Sequence, residues 1–136
     1  MLRASLWIAA VAAACGGSSE MRQLSVGGTY ATSVDLLPGN TCSPPQVNDN
    51  PTVVAHAPGA QSLSLTHAGI TYSGTVTPAG AFTVPPTPVG IFSISIAGQF
   101  IQSGFTATTH VAQSQPACAY DVSWVGTKSG PPNTFP

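Results

Sequence analysis

Charge is what this chain lacks most. Only 5% of its 136 residues are Asp, Glu, Lys or Arg, three basic and four acidic, for a formal net charge of −1. Ordinary soluble domains carry about 25%. No basic patch exists, which excludes a nucleic-acid partner that would need phosphate neutralisation. Cysteine is also scarce, at three residues, and no CxxC pair occurs. There is no GxSxG elbow and no phosphate-cradling glycine loop. The NDN stretch at residues 48–50 lacks the spacing of an EF-hand calcium loop. No apolar run reaches the ~20 residues of a membrane-spanning helix. With 14 glycines and 13 prolines breaking the chain, long helices are excluded as well.

What fills the space is hydroxyl. The sequence holds fifteen Ser and fifteen Thr, many of them alternating with apolar residues. Period-two alternation marks half-buried strands. It begins at residues 28–37 (GTYATSVDLL), with Tyr30, Thr32, Val34 and Leu36 on one face. A long polar loop follows at residues 38–51 (PGNTCSPPQVNDNP), and TVVAHA reads as a second strand. Residues 62–84 are the most regular, with turns at HAG and PAG between short strands. PPTPVG is expected as a proline-rich corner. The last three strands bury Phe92, Ile94 and Ile96, then Ile101, Phe105, Ala107 and Val111, then Tyr120, Val122 and Trp124. Tight links between short strands define an antiparallel meander. About eight strands, each with one apolar face, predict an all-β fold over residues 27–128. An up-and-down β-barrel is expected, with a β-sandwich as the alternative.

The N-terminus reads differently. Arg3 precedes an apolar run at residues 6–14 (LWIAAVAAA), the length of a secretory h-region. Small residues lead directly to Cys15. Residues 1–14 resemble a bacterial lipoprotein signal peptide, whose lipobox ends in small residues and the lipidated cysteine. Ala12 stands where that family usually has Leu. The resemblance implies lipidation at Cys15, a membrane partner through the lipid anchor, and localisation in the cell envelope. Gly16, where an Asp would retain the protein at the inner membrane, implies an outer-membrane lipoprotein facing the periplasm or the cell surface. Ordinary secretion is the alternative. Residues 15–26 read as a flexible tether, and residues 129–136 (SGPPNTFP) as a disordered tail.

Export leaves Cys42 and Cys118 as an even pair, expected to form a disulfide. Two free buried thiols or a metal pair are the alternatives, the latter opposed by the absence of a nearby ligand. In an eight-stranded barrel the first and last strands are neighbours, so the bond would lie at that seam. Residues 63–84 look like the repeated hairpins of small bacterial β-barrel lipoproteins, including lipocalin-like and lysozyme-inhibitor-like groups. That resemblance spans about residues 60–127 and supports fold more than function.

Catalytic chemistry finds few candidates. His56 and His110 lie on the polar phase of strands, and His67 in a predicted turn, none at metal-ligand spacing. Asp35 and Asp121 lie on the polar phase of the first and last strands, where an acid–base couple would need shifted pKa values that so uncharged a chain does not supply. No catalytic residue, cofactor or metal is assigned. The expected function is a non-enzymatic envelope protein that binds a macromolecular partner through residues 40–50. The alternative is a carrier of a small hydrophobic ligand in the barrel interior.

Overall fold

The computed structural model describes residues 22–136. Cys15, the predicted signal peptide and most of the tether lie outside the described residues. The strands are β1 (Gly28–Leu36), β2 (Thr52–Ala55), β3 (Ser62–His67), β4 (Ile70–Val76), β5 (Ala81–Val89), β6 (Phe92–Ile101), β7 (Gly104–Ser114) and β8 (Ala117–Lys128). They pair antiparallel in chain order, and β8 returns to β1 to close a barrel. Closure removes the sheet edges that so few charges could not protect.

Alternation places the side chains. Inward positions hold Leu63 and Leu65 on β3, Phe82 and Val84 on β5, and Val122 and Trp124 on β8, all buried. Outward positions hold Thr29, Ser33, Thr71, Ser73, Thr83, Thr106 and Thr108, all exposed. Ile101 departs from expectation. The two-residue turn after it resets the phase, Phe100 pairs directly with Phe105, and Ile101 faces out at 47% exposure.

The two ends of the barrel differ. At one end Tyr30, Phe82, Phe100 and Phe105 pack ring on ring, with centroids 4.6–6.0 Å apart. Room for them comes from glycine. Gly98 pairs with Phe82 and Gly126 with Phe105 across neighbouring strands, and a Cβ at either position would collide with its partner's ring. Each buried aromatic contributes about 1.5–3 kcal/mol of transfer free energy, so this floor is the stable part of the molecule.

Residues 24–26 and 133–134 close the floor, contrary to the expected loose tether end and disordered tail. Leu24 and Val26 are buried, and Ser25 bridges to Thr134. Asn133 is 2% exposed. Its Nδ2 donates to the Ile101 and Gly104 carbonyls, which fixes Oδ1 toward Tyr30. The Tyr30 hydroxyl donates to the Val26 carbonyl at 2.6 Å, with Asn133 Oδ1 a second acceptor at 2.8 Å. Burial pushes this phenol up to about 12, against a smaller opposing effect of Asn133. His56 adds a staple, its Nε2 donating to the Ala60 carbonyl and its Nδ1 accepting from the Val26 N–H. Composition favoured a disordered tail, but one amide side chain donates to two backbone carbonyls and lies against the Tyr30 hydroxyl, which holds it in place.

At the other end the barrel is looser. β2 is short and meets β1 only from Gly28↔Val54 to Tyr30↔Thr52. Beyond Tyr30, β1 has no strand on that side. Asp49 substitutes for one, its Oδ1 accepting from the Val34 N–H at 2.9 Å. The expected proline corner is instead part of β5, which carries a bulge between Val84 and Thr87. Pairing of β5 with β4 stops at Thr75↔Thr83, so Pro85, Pro86 and Pro88 lie where no β4 acceptor asks for an N–H.

Candidate functional site

The rim half of the barrel is hollow. A cavity of about 350 Å³ opens there. Its walls are inward residues of six strands, among them Val34, Tyr72, Ile94, Thr109, Val111 and Trp124. The floor is filled by packed phenylalanines, whereas at the rim Val34, Ile94, Val111 and Val122 stand among the rings of Tyr72, Tyr120 and Trp124 and leave part of the axis unfilled. Gln46, Val47, Asn48 and Asn50 of the β1–β2 loop lie over the opening, and Val47 is half-buried against the core.

That loop is held at both ends. Cys42 and Cys118 form a disulfide, with Cα atoms 5.0 Å apart, at the seam between the first and last strands as expected. Beside it, Leu37 N–H donates to the Asp121 carbonyl and Thr41 N–H to the Ala119 carbonyl. Thr41 Oγ1 accepts from the Ala119 N–H at 2.8 Å. Asp49 fixes the far end on β1. Residues 40–50 are therefore a cover on the barrel mouth.

The polar groups inside the cavity are few and placed by the same alternation. His67 is not a turn residue. It ends β3, faces inward and is 7% exposed. Ala68 and Gly69 make the turn, both with positive φ, as a two-residue hairpin of this kind requires. The His67 ring stacks on Trp124, centroids 4.1 Å apart and 29° between planes. Burial lowers its pKa, which favours the neutral ring. Its Nδ1 lies 2.9 Å from Thr52 Oγ1, which lies 2.7 Å from Thr32 Oγ1. Thr32 in turn donates to the Tyr30 carbonyl.

Two further features stand out. Thr109, 3% exposed on β7, has a buried hydroxyl with no hydrogen-bond partner among the described residues. Tyr72 and Tyr120 bring two phenols into the cavity, both raised in pKa by burial, Tyr72 also by Tyr120. Among the described residues no Asp, Glu, Lys or Arg lines the space.

The other candidates are dispersed. His110 and Asp121 sit on the outer face, half exposed, with Nδ1 and Oδ1 2.7 Å apart. This is an acidic partner that spacing alone did not reveal, because the two lie opposite each other on β7 and β8. A surface pair of this kind contributes little. Asp35 is exposed on the outer face, opposite Ser123. β1 and β8 do pair, yet Asp121 is engaged by His110. Among the described residues no three His, Cys, Asp or Glu side chains gather in metal-binding geometry.

Phase was the signal that could have found the site. Thr32, Thr52, His67 and Thr109 all share the parity of their buried apolar neighbours, which marks them as inward polar residues. Trp124 and Tyr120, read from sequence as buried, form the cavity wall together with Tyr72. The chain matches no protein-family model, no curated protein and no solved structure.

Proposed function

We propose that this protein is an exported, lipid-anchored barrel that carries a small, uncharged, largely apolar ligand in its rim cavity. The half-hollow interior carries this reading. Ligand pockets run from about 300 to 1,000 Å³, with apolar walls and a few placed polar groups, and the rim cavity fits the lower end of that range. The outward surface is hydroxyl-bearing, the inverse of a membrane-spanning barrel whose outer band is apolar. That supports a domain standing in water beside a membrane, with Cys15 as the anchor. The disulfide supports an oxidising compartment.

A macromolecular partner bound through residues 40–50 has less support. Those residues turn Val47 toward the cavity and are pinned to β1 and β8. Native mass spectrometry of protein purified from an envelope fraction tests the carrier reading. A co-purifying small molecule is expected, lost when Ile94→Trp fills the cavity. Identical masses for both proteins beyond the substitution, together with no uptake of naphthalene-sized probes, would overturn it.

A further inference from the structure

The hydrogen-bond chain from floor to cavity fixes which ring nitrogen of His67 carries the proton. The Tyr30 carbonyl can only accept, so Thr32 donates to it. Thr32 Oγ1 has then used its one hydrogen, so Thr52 donates to Thr32. Thr52 has used its own in turn, so His67 Nδ1–H donates to Thr52. This is the assignment that satisfies all three contacts together. A neutral imidazole protonated at Nδ1 has a bare lone pair at Nε2. That nitrogen has no hydrogen-bond partner among the described residues, and His67 lines the cavity.

The cavity therefore offers an acceptor at His67, within walls that include the rings of Tyr72, Tyr120 and Trp124. Planar rings pack well against such walls. A volume of about 350 Å³ holds about a dozen heavy atoms, at the ~30 Å³ a water-sized group occupies in liquid. A charged ligand would lose its hydration with no counter-charge to meet it. Resting on the carrier reading, we propose that the cavity selects a neutral, planar ring compound bearing a hydroxyl, which donates to His67 Nε2.

Titration calorimetry on the purified full chain, with four probes, tests this. The probes are 2-naphthol, 2-methoxynaphthalene, naphthalene and 2-naphthoate. 2-Naphthol should bind about tenfold or more tightly than 2-methoxynaphthalene, the ratio one satisfied buried hydrogen bond produces, and 2-naphthoate weakest of all. His67→Phe keeps a ring beside Trp124 and should bring 2-naphthol and 2-methoxynaphthalene to equal affinity. Thr109→Val, which leaves the Nδ1 chain intact, should keep the gap. Equal binding of the hydroxyl and methoxy probes by the unaltered protein would overturn the selectivity and leave the carrier reading standing. So would a gap that survives His67→Phe. Binding of none of the four would overturn both.

Discussion

Replacing both Cys42 and Cys118 with alanine should destabilise the barrel by about 4.5 kcal/mol. The figure comes from the loop the bond closes. Its cysteines are 76 residues apart, and the chain-entropy relation gives about −15 cal/mol/K for that length. β2 to β7 lie inside the loop, so the unfolded chain gains its freedom over the larger part of the domain. The folded state should change little. The seam keeps its hydrogen bonds from Leu37 to Asp121 and from Thr41 to Ala119, at 2.9 and 3.0 Å. Urea unfolding followed by far-ultraviolet circular dichroism measures the loss. At a slope of about 2 kcal/mol/M the midpoint should fall by about 2 M. 2-Naphthol affinity of the folded protein should stay within about threefold, because Asp49 and Thr41 still hold the cover. A loss under about 1 kcal/mol would refute the entropic argument. A collapse of probe affinity at unchanged fold would show that the sulfur bond alone, and not the polar contacts beside it, holds residues 40–50 over the mouth.

Three further outcomes follow from the same contacts. Thr109→Val should raise stability by about 1 kcal/mol in urea melts, since it removes a buried hydroxyl that has no partner; a loss of stability would mean that the hydroxyl is satisfied. Stability should decline as pH falls below 6.5, because burial lowers the folded-state pKa of His67 from that ordinary value and the unfolded chain takes the proton first; the decline should level off once pH is below the folded-state value, and the contribution should vanish in His67→Phe. Asn133→Ala should cost about 2 kcal/mol by stripping hydrogen bonds from the Ile101 and Gly104 carbonyls and one acceptor from Tyr30; a double-mutant cycle with Tyr30→Phe that returns additive losses would show that the tail is not clamped through that pair.

The barrel was legible because period-two alternation is a local property. Each strand announces its own inward face, and a charge-poor surface makes closure the economical topology. The seam position of Cys42 and Cys118 followed from closure alone. Other features depend on partners distant in sequence. Asn133 sits in a proline-rich stretch with no periodicity, and its value comes from carbonyls more than 28 residues away. His67 looked like part of a turn because HAG is a good turn sequence, yet Ala68 and Gly69 suffice for the reversal. The hollow depended on side-chain size at one level of the barrel, where six strands contribute and no single segment shows it. Asp49 read as a loop acid, and only the shortness of β2 gives its carboxylate a strand edge to serve.

Unfavourable local choices lie at the rim and not at the floor, a distribution that supports the proposed carrier reading. Ala68 adopts a φ of 50°, a left-handed conformation that costs a non-glycine residue about 1–2 kcal/mol. Thr109 leaves a hydroxyl unpaired, at about 1–3 kcal/mol. Both line the cavity. The floor shows neither feature. Its polar groups at Tyr30 and Asn133 are paired, and its glycines sit where rings need the room. An aromatic at Ile94 or Val111 would extend the floor upward and bury more apolar area. The chain instead keeps aliphatic residues at these two positions, a left-handed Ala68 and an unpaired hydroxyl at one end, offset by close packing at the other. Such departures cluster where a partner must be received. A ligand that fills the axis would recover stability the unliganded rim forgoes. Binding should then raise the unfolding midpoint further than the same ligand does in a rim already filled by Ile94→Trp.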